Sequence, residues 1–421
     1  MKKYRLAIGI LAAFLLTGCG MEEYFAPAVM ETPEDEKILT IELLESEISE
    51  EVSGEEETEN GTLPEPTAES TGEFDDPAQW TYAYDQLDEA SKSWYRVINA
   101  SLLAMGDSPV TLTEEGLAGG LTEEDIDRIF QCVLLDHPEY FFVTGYQYTK
   151  YTRGDELVSI DFIGTYSMDK EAALVRKEEI EESVAGILAG IAPDVSDYEK
   201  VRYVYETIIK NTEYNMDAPD NQNIYSVLKG GASVCQGYAK TTQLLLNRLG
   251  VECTLVQGDI KEGGGHAWNM VLVDGEYYYM DTTWGDASYQ MENMESSNVR
   301  IPDISYDYLC VTSADLFRTH TLDCVVSMPE CTAVNANYYV KEGCFFSSFD
   351  EAQVNSLIQK VTAEGREEIY FKCADESVYA TFKEKLIDGG SIFDYLGDTH
   401  SAVAYTQNDQ AFLLTFWMTK G

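Results

Sequence analysis

Basic residues are scarce in this chain. Only 28 Lys and Arg stand against 75 Asp and Glu, for a formal net charge of −47. So few cations cannot track a run of phosphates, which excludes nucleic acid as a partner. An anionic lipid surface would repel such a chain as well, and a basic substrate would be drawn to it. Among the nine cysteines no C-x-x-C pair occurs, so the usual mark of a structural zinc site is missing. Gly263-Gly264-Gly265 is not followed by Lys-Ser or Lys-Thr and is no phosphate loop; it gives the loop before His266 freedom to move. The apolar run Leu6 to Leu16 is too short to commit to a membrane span. No cofactor and no metal is expected.

What is present begins with MKKYRLAIGILAAFLLTGC. Lys2, Lys3 and Arg5 precede the short apolar run, as in a signal peptide spanning 1–19. Leu16-Thr17-Gly18-Cys19 resembles a bacterial lipobox, which implies cleavage before Cys19 and lipid on its thiol. Such a lipid anchors through its buried methylenes. The expected location is the outer face of a bacterial cytoplasmic membrane. Residues 20–76 form an acidic tether, with about 19 acidic residues against one Lys up to Asp75. Its like charges repel and hold it extended.

Residues 77–192 read as an N-terminal accessory region. Leu87 to Ala104 and Thr122 to Leu135 carry helical patterns, the second capped by Thr122. Asp136-His137-Pro138 stops that helix with a locally satisfied imidazole. Tyr146 to Tyr151 and Leu157 to Tyr166 read as strands around an Arg153-Gly154-Asp155 turn. Asp169 to Leu188 and Asp197 to Thr212 are amphipathic helices.

The chemistry concentrates between Gly230 and Asp286. Ala239 to Leu249 is a helical run with Leu244, Leu245, Leu246 and Leu249 on its apolar stripe and Gly250 closing it. With Ser233 as N-cap, Cys235 falls in the first turn, where free N–H groups and the helix dipole favour a thiolate. His266 to Val273 alternates as a strand, Asp274-Gly275 is a two-residue hairpin turn, and Glu276 to Thr283 runs back. That register sets Trp268 opposite Asp281 and His266 opposite Thr283. Asp281 is then the diagonal neighbour of His266 on the same face, roughly 7–8 Å away between backbones. A Cys, a His and an Asp so placed are what thiol-based acyl chemistry requires. The same three types can hold zinc, but three alone already make a complete triad.

The blocks SVCQGYAK, GHAWNMV and YYYMDTTWGD, in that order, resemble the transglutaminase-like superfamily, most of all its bacterial extracellular branch. The resemblance implies an α+β fold with a papain-like core over 193–330. It makes Cys235 the nucleophile, His266 the base and Asp281 the carboxylate that orients it. A second oxyanion donor should come from the loop before the nucleophile, where Gln222 and Tyr225 are both candidates. Trp268 and Trp284 lie beside the triad as groove walls or core packing. The DHPE string followed by aromatics at 136–142 also occurs ahead of the triad in that branch.

Tyr306 to Thr312 reads as another core strand, His320 as a surface residue, and Cys324–Cys331 as the nearest disulfide pair. Residues 331–421 form a small α/β unit: strands at Tyr338 to Phe346 and Glu368 to Cys373, helices at Asp350 to Ala363 and Ser377 to Ile387, and a terminal strand pair. No catalytic cluster lies there. The expected function is attack on amide bonds of protein or peptide substrates, some of them in the cell wall, through a thioester resolved by water or an amine. An inert binding or scaffold lipoprotein on the same fold is the alternative.

Overall fold

The computed structural model describes residues 6–11, 80–153, 156–261, 263–286, 303–396 and 403–417. The tether, Cys19, Gly154 and Asp155 lie outside them. The fold is α+β, with three four-stranded sheets among the described residues.

The N-terminal region holds β1 (Leu6–Leu11), α1 (Tyr82–Asp85), α2 (Glu89–Ala104), β2 (Val110–Thr111), α3 (Glu114–Ala118), α4 (Ile126–Asp136), β3 (Val143–Arg153), β4 (Glu156–Tyr166) and α5 (Lys170–Leu188). The sheet order is β1-β3-β4-β2. Leu6–Leu11 falls within the expected signal sequence and here pairs with β3 in the unprocessed chain. Cleavage before Cys19 would remove it. Asp88 caps α2 by accepting from Ser91 N at 2.8 Å, and Thr122 with Asp125 closes a capping box ahead of α4. At the far end of α4 the buried Asp136 carboxylate accepts from Ala83 N, Tyr84 N and Tyr95 Oη at 2.8–2.9 Å. His137 lies 2.7 Å from Glu139 through Nδ1 and stacks on Tyr140, while its Nε2 is buried without a hydrogen-bond partner, so the imidazole is satisfied at one nitrogen only.

The core follows. A capping box of Ser196 and Glu199 starts α6 (Asp197–Asn211). The short strands β5 (Glu213–Tyr214) and β6 (Ala232–Ser233) pair in parallel. Then come α7 (Cys235–Arg248), β7 (Cys253–Ile260), β8 (Gly265–Val273), β9 (Glu276–Met280) and β10 (His320–Leu322), in an antiparallel sheet of order β10-β7-β8-β9. Asp274 and Gly275 both have positive φ, +52° and +82°, as a type I′ turn needs. The register runs from Val273↔Glu276 to Asn269↔Met280, as the turn predicts.

The return strand stops at Met280 rather than Thr283. Asp281 turns the chain by accepting from Thr283 N and Trp284 N at 2.9 and 3.1 Å. The expected strand over Tyr306 to Thr312 is also absent. Cys310 sits at φ +55°, which interrupts an extended run, and only Val311 bridges to Tyr279. Helix α7 is the centre of the core, buried on all sides from Cys235 to Asn247. Two of its polar side chains tie it to its neighbours: Gln243 Nε2 donates to Leu135 O at 2.8 Å, and Asn247 Oδ1 accepts from Cys253 N at 2.9 Å.

The C-terminal sheet, order β11-β12-β14-β13, comprises β11 (Phe345–Phe346), β12 (Glu368–Cys373), β13 (Ala404–Asn408) and β14 (Leu413–Trp417), with helices Glu351–Ala363 and Glu376–Phe382. Tyr338 to Phe346 is not one strand. Asn337 caps a helical turn over Tyr338–Lys341, and only Phe345 and Phe346 are extended. Tyr338 stacks on Tyr306 at 3.7 Å and Tyr339 donates to Asp307 at 2.6 Å, which docks this region on the core. Cys324 and Cys331 are both free thiols, correcting the expected disulfide. Cys324 donates to Gln257 O at 3.0 Å, while Cys331 packs in the Trp268–Met270 cluster. No helix among the described residues is long and apolar enough to cross a membrane.

Candidate active site

Cys235 is the first residue of α7 and is buried. Val234, not Ser233, occupies the N-cap. Ser233 Oγ instead donates to Asn221 O at 2.7 Å, and Val234 N reaches the same carbonyl at 3.1 Å. The 221–223 loop is thereby strapped across the start of the helix. This closeness requires Gly237. A Cβ there would lie 2.0 Å from Ser233 Oγ and 3.0–3.1 Å from the carbonyls of Asn223 and Asn221.

Residues three and seven positions after Cys235 share its face of the helix. Tyr238 Oη donates to Asp286 Oδ2 at 2.5 Å, and the hydroxyls of Thr242 and Thr282 are 3.2 Å apart. The Cys235 face is therefore pressed against the Asp281–Asp286 turn. Asn269 Nδ2 donates to Ala239 O at 2.9 Å, tying the same part of α7 to β8, the strand that carries His266.

His266 Nε2 lies 2.7 Å from Asp281 Oδ2, with both side chains buried. Asp281 is a fully satisfied carboxylate. Oδ1 takes the two turn N–H groups, and its own N–H donates to Tyr308 O at 3.0 Å. Burial alone would raise its pKa, but the charge and hydrogen bonds of His266 and His320 outweigh that and hold it well below the usual carboxylate range. Nε2 is thus the ring nitrogen of His266 engaged with Asp281.

His320, expected at the surface, is wholly buried and completes this group. Strand β10 pairs with β7 at His320↔Ile260, which swings the imidazole inward. Its Nε2 lies 3.3 Å from Asp281 Oδ2, and its Nδ1 2.8 Å from Thr319 Oγ1. Tyr308 Oη is 2.9 Å from that same hydroxyl. Burial lowers the His320 pKa more than Asp281 restores it, so the ring is neutral. The network assigns Nε2–H to Asp281 and leaves Nδ1 to accept from Thr319. Nothing in RTHTLD signals this role; only the strand pairing does. His266, Asp281 and His320 are also the described residues able to hold a metal, their ligand atoms lying within 4.8 Å of one another. A cation there would displace the protons on both Nε2 atoms.

The remaining candidates separate. Trp268 is fully buried among Val256, Met270 and Tyr279, so it is core and not a groove wall. Trp284 is half-buried, 6.4 Å from the His266 ring and 5.0 Å from Tyr308. Tyr225 faces away: its hydroxyl donates to Glu179 at 2.7 Å and its ring lies under Arg176. Gln222 sits in the strap over the start of α7, and its Oε1 is buried without a hydrogen-bond partner. Cys19 lies outside the described residues.

The buried His266–Asp281 pair and the helix that begins with Cys235 thus both border the Asp281–Asp286 turn. Residues 186–282 match the family model of the transglutaminase-like superfamily. The chain is 29% identical to kyphoscoliosis peptidase of Mus musculus over 106 residues, 21% of this chain and 16% of the relative. To the Homo sapiens protein of the same name it is 27% identical over 145 residues, 30% of this chain and 22% of the relative. The chain thus matches less than a quarter of the length of these curated relatives. A crystal structure of a TGase is similar over 38% of this chain and 47% of its own, at 16% identity and a TM-score of 0.25.

Proposed function

We propose that this protein is a cell-surface cysteine enzyme that cleaves or transfers amide-linked acyl groups of proteins or peptides, held to the membrane by lipid on Cys19. The observation that carries the reading is the buried His266–Asp281 pair at 2.7 Å, set against the α7 face that begins with Cys235. The lipobox-like string carries the location.

In this reading His266 Nδ1 takes the Cys235 proton, and Sγ attacks the amide carbonyl carbon. The C=O electrons move to oxygen. The Cys235 N–H and the side-chain amide of Gln222 are the donors this reading assigns to that oxyanion. Its collapse breaks the C–N bond, the imidazolium returns the proton to the leaving amine, and a thioester remains. Water then yields the acid, or a second amine yields a new amide, with His266 again taking the proton. Asp281 holds the ring and stabilises the imidazolium. The curated relatives are named peptidases, which favours water as the acceptor.

Among the other thiols, burial pushes Cys132, Cys331, Cys344 and Cys373 up to about 12. Iodoacetamide at neutral pH should therefore label Cys235 first, and Cys235→Ala should abolish both that labelling and trapping of the acyl-enzyme. Labelling of Cys235 no faster than of free cysteine sinks the reading. Fatty-acid labelling lost in Cys19→Ala tests the anchor separately.

A further inference from the structure

Lys240 is a cation without a counter-ion. It lies one helical turn after Gln236 on α7, it is only 7% exposed, and no carboxylate or carbonyl among the described residues bonds it. Buried lysines are ordinarily paired, because an isolated ammonium in the interior is costly. Its side chain lines a small cavity with those of Gln131, Gln236 and Gln257, floored by Leu134 and Leu135. None of the three glutamine side chains has a hydrogen-bond partner among the described residues. Gln236 and Gln257 are themselves 4% and 6% exposed. Four otherwise unmatched polar groups from α4, α7 and β7 thus converge on one space.

The donors present select the ligand. An ammonium offers three N–H groups and each carboxamide two, with no acidic group among them. Burial draws Lys240 down to about 8, so it remains largely charged at neutral pH. The cavity lies near the start of α7. Gln236 follows Cys235 directly, and Gln257 pairs with Ala267, the residue after His266. In a chain of net charge −47 a buried, uncompensated cation near the start of α7 is a local reversal of sign.

We propose that this cavity is a carboxylate-binding subsite and that it receives an acidic group of the substrate next to the amide under attack. The substrate half rests on the thiol mechanism above; the binding half does not. Lys240 supplies the charge, and the three glutamines supply orientation. The preferred acyl donors are accordingly acidic peptides, which the surface charge repels at long range and this subsite selects at short range.

Formate, the smallest carboxylate, serves as the first probe at constant ionic strength. Wild type should show a saturable rise in Tm with formate that Lys240→Met and Lys240→Gln both lack. Each variant is compared with itself, so a change in its starting Tm does not matter. An equal rise in all three proteins, or none in wild type, overturns the subsite. The second arm compares a succinyl-capped with an acetyl-capped glutaminyl peptide. Wild type should show a KM about tenfold lower for the succinyl peptide, as for one charge-assisted contact, and Lys240→Met a ratio near one. A formate site with no such KM ratio overturns the substrate assignment and leaves an ion site. If formate binds as expected but neither peptide turns over and Cys235 does not label, the thiol mechanism fails and the binding half stands.

Discussion

Asp281→Asn isolates the carboxylate on which both imidazoles converge. The exchange keeps the shape, and Oδ1 can still accept from Thr283 N and Trp284 N, now at 2.9 and 3.1 Å. It replaces Oδ2 by an NH2 group at the position 2.7 Å from His266 Nε2. A donor there can be met only by the lone pair of Nε2, so the ring proton moves to Nδ1. That nitrogen then has no lone pair with which to take the thiol proton. The imidazolium also loses its nearest negative charge. The same exchange in a serine triad lowers kcat about 10⁴-fold, which is about 5.5 kcal/mol of transition-state stabilisation.

A readout that needs no substrate is the alkylation rate of Cys235 against pH. Wild type should react well below the pH at which an ordinary thiol ionises, as an imidazolium-paired thiolate does. In Asp281→Asn the midpoint should move up toward about 8.5, lowering the rate at pH 6 by about 10². Near-UV circular dichroism checks that the core is retained. An Asp281→Asn protein that alkylates at pH 6 as fast as wild type refutes the tautomer argument.

Gly237→Ala should destabilise the protein by about 1–3 kcal/mol as an overpacked site, although alanine is otherwise the better helix former. Denaturant unfolding and Cys235 labelling should both report the loss, since the strap over α7 must shift. His320→Gln keeps a donor for Asp281 and should cost more in kcat than in KM. It also removes a buried imidazole whose pKa is depressed. Such a group takes up its proton more readily when unfolded, so its contribution is lost as pH falls through about 6.5. The variant should lose less stability between pH 7 and pH 5 than wild type, measured by Tm across that range. Lys240→Met should raise stability at pH 7, where the ammonium held at about 8 carries its burial cost, by about 3 kcal/mol at most. The gain should fade above about pH 10, and equal gains at both pH values would be against it.

The hairpin was legible because its signals are local. Asp274-Gly275 selects the turn, the turn sets the register, and period-two alternation assigns the faces. The start of α7 was legible for the same kind of reason, though its cap was not: Ser233 is drawn away by a carbonyl twelve residues upstream. What sequence could not show depends on long-range pairing. His320 reads as a polar strand tip until β10 is set against β7. Cys324 and Cys331 look pairable by distance along the chain and pack on the same Trp268 cluster, yet both are free thiols and Cys324 donates to Gln257 O. The Trp268 alternatives were separable only by burial.

The composition of α7 carries a further implication. A leucine stripe predicts one buried face, and the structure buries every residue from Cys235 to Asn247, among them Gln236, Lys240, Thr241, Thr242, Gln243 and Asn247. A helix enclosed on all sides is ordinarily apolar all round. Polar residues in that setting cost stability unless matched. Asn247, Gln243 and Thr242 are each matched once, to β7, α4 and the Thr282 turn. These bonds fix the rotation of the helix about its axis, and hence the direction in which Cys235 points. Gln236, Lys240 and Thr241 have no such bond among the described residues. Where local rules are broken without an internal partner, the missing partner is expected from outside the chain. Gln236 and Lys240, unlike the equally unmatched Thr241, border the cavity near the start of α7.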